Sequence, residues 1–344
     1  MRKSQTMKLK TKVVPQASSK TASKRKKNSY AEVAKLIKSH KSFLLTTHVN
    51  PDGDGLGAES ALFMALRKLG KKVRVVNHDP LPYKFDFLAF TPFYQTSDDI
   101  PEHEVCIVMD AGDFSRIREG VKRSEFATLV NIDHHYSNDH YGNYNLVVPE
   151  AAATGEVVYE LIKALKVKVD KDIAQGIYTS IVTDTGRFRY PSTTPRIFRL
   201  AADLEEAGAD VSKISESIFG DISKEALELT RLALASIHTT DEGAIGSMTL
   251  TQLDFLKSKA SDDDTENLIN LVRNLDTVQI AAFLKERPDG RIKLSLRSKN
   301  GINVANVAKQ FGGGGHSYAS GAVLDGPLDK ALKAVLTACQ SALK

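Results

Sequence analysis

Residues 42–70 read SFLLTTHVNPDGDGLGAESALFMALRKLG, and the parsing of this stretch decides the fold. SFLLTTH, 42–48, is a short apolar run of strand composition. AESALFMALRKLG, 58–70, repeats its apolar residues at helical spacing and stops at a glycine. Between them VNPDGDGLG carries one proline and three glycines and reads as a loop. Strand, loop and helix, followed by the strand KVRVVN at 72–77, make a βαβ unit.

The same grammar continues. EVCIVMD (104–110) and ATLVNID (127–133) are further strands, and TGEVVYELIKALKV (154–167) and KDIAQGIYTSIVTD (171–184) are helices. Short apolar strands alternating with helices imply an α/β domain built on a doubly wound parallel sheet. Polar-faced helices fill 195–235. Beyond about 236 the pattern changes to period-2 strands, GAIGSMTLT (243–251), VQIAAFLKE (278–286) and RIKLSLRS (291–298). The last two are joined by RPDG, a hairpin signal. A helix, NVANVAKQF, then runs into four glycines at 312–315. The expected organisation is a basic, disordered tail at 1–29, a catalytic domain at 30–210, a helical linker at 211–235 and a smaller α/β domain at 236–344. A cleft separates the two domains.

Composition excludes several classes. The chain is 42% hydrophobic and 26% charged, a globular balance, and no apolar run reaches the 18 residues of a membrane span. Cys106 and Cys339 lie far apart in apolar surroundings and read as small core residues, not a disulfide or zinc ligands, which suits a reducing, cytoplasmic setting. The first 29 residues hold ten Lys or Arg and no acid, so the remainder sums to −5 against +5 for the whole. Such a tail reads either as a leader without structure or as a nonspecific arm for nucleic acid.

The chemistry gathers at strand ends. His48, Asp52 and Asp54 follow the first strand, Asp110 follows EVCIVM, and Asp133, His134 and His135 follow ATLVNI. The carboxyl ends of parallel strands share one edge, where ligands bind. Asp184 closes the helix before TDTG. Imidazoles and carboxylates without thiolates suit Mn, Mg or Fe(II) better than structural zinc. A glycine-interrupted loop can aim His48 and Asp52 at one ion and Asp54 at a second. Two close ions need a shared ligand, for which Asp110 is the candidate, with His134 and Asp184 completing the second set. PDGDG alone could be a plain turn, and the distal glutamate of an EF-hand is missing.

In this order, HVNPDGDGLGA, VMDAGD, DHH and TDTGRF resemble the motif series of the DHH phosphoesterases. FGGGGHSYASGA resembles the signature of their C-terminal DHHA1 domain. The nearest subgroup is the stand-alone nanoRNase and 3′-phosphoadenosine-5′-phosphate phosphatase type. The resemblance implies that His48, Asp52 and Asp110 hold one manganese and that Asp54, Asp110, His134 and Asp184 hold the other. It places His135 beside the reacting phosphate, with Asp133 as a brace for an imidazole. Arg187, in TDTGRF, is a specificity contact or a surface arginine.

The second domain is expected to choose the substrate. Gly313, Gly314 and Gly315 leave backbone N–H groups open to an anion, His316 adds a donor, Arg297 can fork onto a phosphate, and Ser298 offers a hydroxyl. The implied activity is removal of nucleotides from oligonucleotides of a few residues, with 3′-phosphoadenosine-5′-phosphate as a further substrate. Cyclic di-AMP hydrolysis shares every motif. A nucleic-acid-binding protein working through its tail is the rival of another class. A homodimer is implied by the family alone.

Overall fold

The structure is a computed structural model that describes residues 27–343 apart from 119, 221, 266 and 267. α1 (Tyr30–Ser39) precedes β1 (Ser42–Thr46), and α2 (Gly53–Lys68) carries the chain to β2 (Lys72–Asn77). β3 (Tyr94–Thr96), β4 (Val105–Met109), β5 (Leu129–Asp133) and β6 (Tyr144–Val147) complete the first sheet. Its order is β3-β2-β1-β4-β5-β6, with every neighbouring pair parallel. The winding reverses between β1 and β4, which makes their carboxyl ends the switch point.

α2 begins five residues earlier than its composition suggests. Gly53 to Gly57, expected in the loop, form its first turn. The Asp52 carboxylate caps that turn by accepting from the N–H of Asp54 (3.0 Å) and of Gly55 (3.3 Å). The glycines are there for closeness. A Cβ on Gly53 would meet Thr183, and one on Gly57 would lie 2.4 Å from the Gly176 carbonyl of α4 (Lys171–Asp184).

Alternate strand residues feed two cores. Phe43, Leu45, Ile107 and Val130 pack under α1, α2, α3 (Thr154–Leu165), α4, and α5 (Pro195–Glu206). Leu44, Cys106 and Val108 face the other side, which is covered by loops and 3-10 turns bearing Ile117, Phe126 and Tyr141. Both cysteines are buried and unpaired. No described helix is long and apolar enough to cross a membrane.

The segment expected as a linker divides between the domains. α6 (Val211–Phe219) inserts Ile214 into the first core, while α7 (Lys224–Ala235) gives Leu229 and Ala233 to the second domain. That domain contains β7 (His238–Thr240), β8 (Ile245–Leu250), α8 (Gln252–Ser258), α9 (Leu268–Arg273), β9 (Ile280–Glu286) and β10 (Ile292–Ser298). α10 (Ala305–Lys309), β11 (Gly314–His316), β12 (Ala319–Leu324) and α11 (Leu328–Leu343) follow. The sheet β11-β12-β10-β9-β8-β7 is mixed, with β8 and β9 parallel and the other pairs antiparallel. Most of the basic tail, residues 1–26, lies outside the described residues. Asn28, counted with that tail, belongs to the fold: it is buried and exchanges hydrogen bonds with Asn145 of β6.

One buried acid ties α2 to the sheet. Glu59 is fully buried and accepts from Asn77 Nδ2 at 2.9 Å. The Asn77 side-chain Oδ1 accepts in turn from the Thr47 N–H (2.8 Å) and the Thr46 hydroxyl (3.1 Å). Burial pushes the Glu59 carboxyl up to about 8, against the smaller opposing effect of the Asn77 bond. Between pH 4.5 and 8 the folded chain therefore holds a proton that the unfolded chain has released, and stability falls as pH rises. Glu59→Gln removes that loss, which for one group is at most about 1.4 kcal/mol per pH unit. Thermal unfolding at pH 5.5 and 7.5 checks this: the variant gains on the wild type at the higher pH, and an equal difference at both values overturns it.

Candidate dimetal site

His48 lies two residues beyond β1, Asp110 directly follows β4, and Asp133 ends β5 just before His134 and His135. The first turn of α2 brings Asp54, and the last residue of α4 is Asp184. These groups meet in two donor sets. In the first, His48 Nε2 stands 3.8 Å from Asp52 Oδ2 and 3.5 Å from Asp110 Oδ2. In the second, His134 Nε2 stands 3.3 Å from Asp54 Oδ2, 3.4 Å from Asp184 Oδ2 and 3.9 Å from Asp110 Oδ1. Asp110 turns one oxygen to each set, from a left-handed backbone position at φ +59° that non-glycine residues seldom occupy.

Local bonds fix each side chain. His48 Nδ1 donates to the Val49 carbonyl at 2.8 Å and His134 Nδ1 to the Ala151 carbonyl at 3.1 Å. In both rings Nε2 is therefore the atom left to face the carboxylates. With Asp52 Oδ1 engaged in capping α2, Oδ2 is the atom turned to His48. Asp54 is buried and accepts from the N–H groups of Thr154 (2.8 Å) and Gly155 (3.2 Å) and from the Ser180 hydroxyl. It thereby caps α3, whose own N-cap, Ala153, has no side chain for the task.

The donor atoms ask for a cation. His134 Nε2 and Asp184 Oδ2 are buried without a hydrogen-bond partner, although each faces the other. Leaving such groups unmet is costly, and a divalent ion satisfies both. Oxygen and imidazole donors, with no thiolate among them, fit a hard or borderline ion. Without one, the carboxylates gather protons. Burial, then the charge of Asp110, raises Asp54 well above the usual range, and burial lifts Asp184 to about 6. Burial pulls His134 down, but Asp184, Asp54 and Asp110 outweigh it and take the ring to about 10.

His135 is held differently. Asp133 Oδ1 accepts from its Nδ1 at 2.7 Å and from the main-chain N–H groups of His134 (2.7 Å) and His135 (3.1 Å). Asp133 Oδ2 accepts from Asn138. Burial opposes the charge on His135, yet the carboxylate of Asp133 raises its pKa on balance. The His316 ring stacks on it at 4.8 Å between centroids, and Tyr318 stacks on His316 at 5.5 Å. Tyr190 of the first domain follows at 5.8 Å from Tyr318.

The second-domain residues separate into two groups. Strand register aligns Arg297, Ala319 and His316 across β10, β12 and β11, and the Arg297 Nε is buried without a partner. Gly314 and Gly315 belong to the short edge strand β11 and not to a loop, and Gly313 is needed because its Cβ would strike the Gly321 carbonyl. Ser298, expected to meet a phosphate, is buried and donates to the Ile302 carbonyl at 2.6 Å, fastening the turn after β10. Arg187 lies in a run of three left-handed residues, Gly186 to Phe188, with its guanidinium 4.0 Å from the Phe219 ring centroid.

Sequence reasoning passed over Thr154 and Ser180. Thr154 donates its hydroxyl to Asp110 Oδ1 at 3.0 Å and its N–H to Asp54, so one residue touches two of the three acids of the second set. ATGE at a helix start was the available signal. Arg116 was also missed; its Nη2 comes within 3.3 Å of His48 Nδ1.

Comparison with known proteins identifies both domains. Residues 42–181 match the DHH family, N-terminal domain, and residues 246–344 match the DHHA1 domain. The chain is 33% identical over 319 residues, 91% of its length and 93% of the relative's, to the "Bifunctional oligoribonuclease and PAP phosphatase NrnA" of Thermus thermophilus. It is 30% identical to the protein of the same name from Mycoplasma genitalium, covering 87% of this chain and 93% of that one. An exopolyphosphatase-related protein from Bacteroides fragilis superposes with a TM-score of 0.83 at 25% identity, covering 91% of this chain and 95% of that one. The chain belongs to the DHH family of phosphoesterases, with a DHHA1 domain at residues 246–344.

Proposed function

We propose that this chain is a manganese-dependent phosphoesterase that hydrolyses short oligonucleotides, linear dinucleotides such as pApA among them, to mononucleotides. Dephosphorylation of 3′-phosphoadenosine-5′-phosphate belongs to the same reading. The observation that carries it is Asp110 facing two donor sets at once, beside the unpartnered His134 Nε2 and Asp184 Oδ2. The names of relatives that align over nearly the whole chain support the substrate class.

His48, Asp52 and Asp110 would hold one ion, and Asp54, Asp110, His134 and Asp184 the other. When bound, such a pair supplies Lewis acidity to a phosphate and makes water more acidic. The chain's own residues do the rest. His135 keeps a proton on Nδ1 through Asp133, which orients the ring and leaves Nε2 to donate to the departing or a non-bridging oxygen. Asp133 has both oxygens committed and acts by positioning that imidazole. β11, at the edge of its sheet, keeps a row of main-chain groups for a ligand, with His316 and Arg297 alongside. His316 lies over the histidine pair, its ring centroid 5.3 Å from that of His134 and 4.8 Å from that of His135.

Purified protein with Mn²⁺ releases AMP from pApA faster than from cyclic di-AMP. No release above an EDTA control overturns the reading, and faster opening of the ring reassigns the substrate. Asp110→Ala loses more than one metal ion per chain by elemental analysis, because it withdraws a donor from both sets; retention of both ions refutes the sharing. His135→Ala keeps its metal and loses turnover by about 10² or more. Full activity in that variant removes His135 from the chemistry.

A further inference from the structure

A second cleft, about 490 Å³, opens beside the first donor set and is lined by residues of both domains. Val49 and Asn50, from the turn between His48 and Asp52, form one wall. Arg118, from the loop after β4, forms another, and Arg287 and Arg291 reach in from the hairpin that joins β9 to β10. Building on the oligonucleotide reading, we propose that this cleft binds the phosphodiester backbone of a substrate's remaining nucleotides, past the scissile phosphate.

The reasons are charge, shape and place. Three guanidinium groups supply planar forks that match phosphate oxygens. Arg118 is anchored by Glu125, and Arg287 and Arg291 by Asp289, carboxylates that do not themselves line the cleft. Asp79, the acid that does, accepts from the Asn50 N–H. His78, also lining, pairs with Asp98 at 2.8 Å. Arg116, which does not line the cleft, brings a further guanidinium to within 3.3 Å of His48 Nδ1. Because His48 Nδ1 already donates to Val49, it cannot also accept from Arg116, whose charge stays beside the first donor set.

Place settles the direction. β11 and His316 occupy the His134–His135 side of the site, while the arginines lie on the side of the turn after His48. A strand crossing the donor sets thus has one flank at β11 and the other in this cleft. The volume falls in the range that holds one nucleotide-sized ligand. Chains of three or more nucleotides therefore leave by the arginine side.

The test uses the full chain and a 5′-fluorescein-labelled RNA pentamer. Anisotropy in EDTA compares wild type with Arg287→Glu/Arg291→Glu, two partly exposed hairpin positions. The pentamer's Kd rises at least tenfold, and the salt dependence of log K flattens by about 1. With Mn²⁺, the ratio of kcat/KM on the pentamer to that on pApA falls by a similar factor. Unchanged Kd and ratio overturn the proposal, as does an equal loss on both substrates. A wild type that binds the pentamer through these arginines yet hydrolyses nothing overturns the catalytic reading instead and leaves the cleft in place.

Discussion

Gly57 and Gly176 let α2 and α4 touch backbone to backbone, and the acidic half of the site depends on that contact. A Cβ at Gly57 would fall 2.4 Å from the Gly176 carbonyl, and one at Gly176 would fall 2.7 Å from the Gly57 carbonyl. No rotamer change relieves a clash with main chain, so any side chain there pushes the helices apart. Asp54 rides on the first turn of α2 and Asp184 on the last residue of α4. Gly155 extends the same principle to α3, where a Cβ would strike Ser180, the residue that donates to Asp54. Three helices thus converge because small residues line their meeting point, and their ends deliver the carboxylates to the switch point of the sheet.

Concentrating acids in this way costs stability, and the fold offsets only part of it. Asp54 is met by two main-chain donors and a hydroxyl at the start of α3, where the helix dipole also favours a negative charge. Asp110 receives the Thr154 hydroxyl. Asp184 Oδ2 receives no hydrogen bond and faces the equally unpartnered His134 Nε2. Burial and neighbouring charge raise the pKa of Asp54 and Asp184, the surrounding carboxylates raise that of His134, and a bound cation would compete with those protons. The clustering that raises these pKa values is the same clustering that would favour a divalent ion.

Much of this was legible because the signals are local. An apolar run that ends in His or Asp marks a strand end, and parallel strands bring their ends together wherever they lie in the sequence. The two-domain division and the helix ending at Asp184 follow from composition in the same way. Other features depended on distant partners. Glycines at 53, 55 and 57 read as a loop since their helix propensity is poor; α2 includes them because Asp52 caps the turn and neighbouring elements crowd it. Ser180 and Thr154 lie about a hundred residues from Asp54, and nothing local marks a hydroxyl that will meet it. β3 and β6, of three and four residues, are too short to show periodicity. The glycine run 312–315 has the composition of a flexible loop, yet pairing with β12 makes its second half a strand.

The way the domains meet follows from how their cores are divided. α6 is spent on the first core and α7 on the second, so neither core borrows apolar surface across the cleft. What crosses it instead is a ladder of rings, His135, His316, Tyr318 and Tyr190, with the Arg273 guanidinium 5.9 Å from the Tyr190 ring centroid. Contacts of this kind are worth about 0.5–1.5 kcal/mol each, far less than a shared hydrophobic interface. They also offer faces on which a nucleobase can stack in place of a side chain. The donor sets, by contrast, are built wholly within the first domain, so their geometry does not depend on these ring contacts.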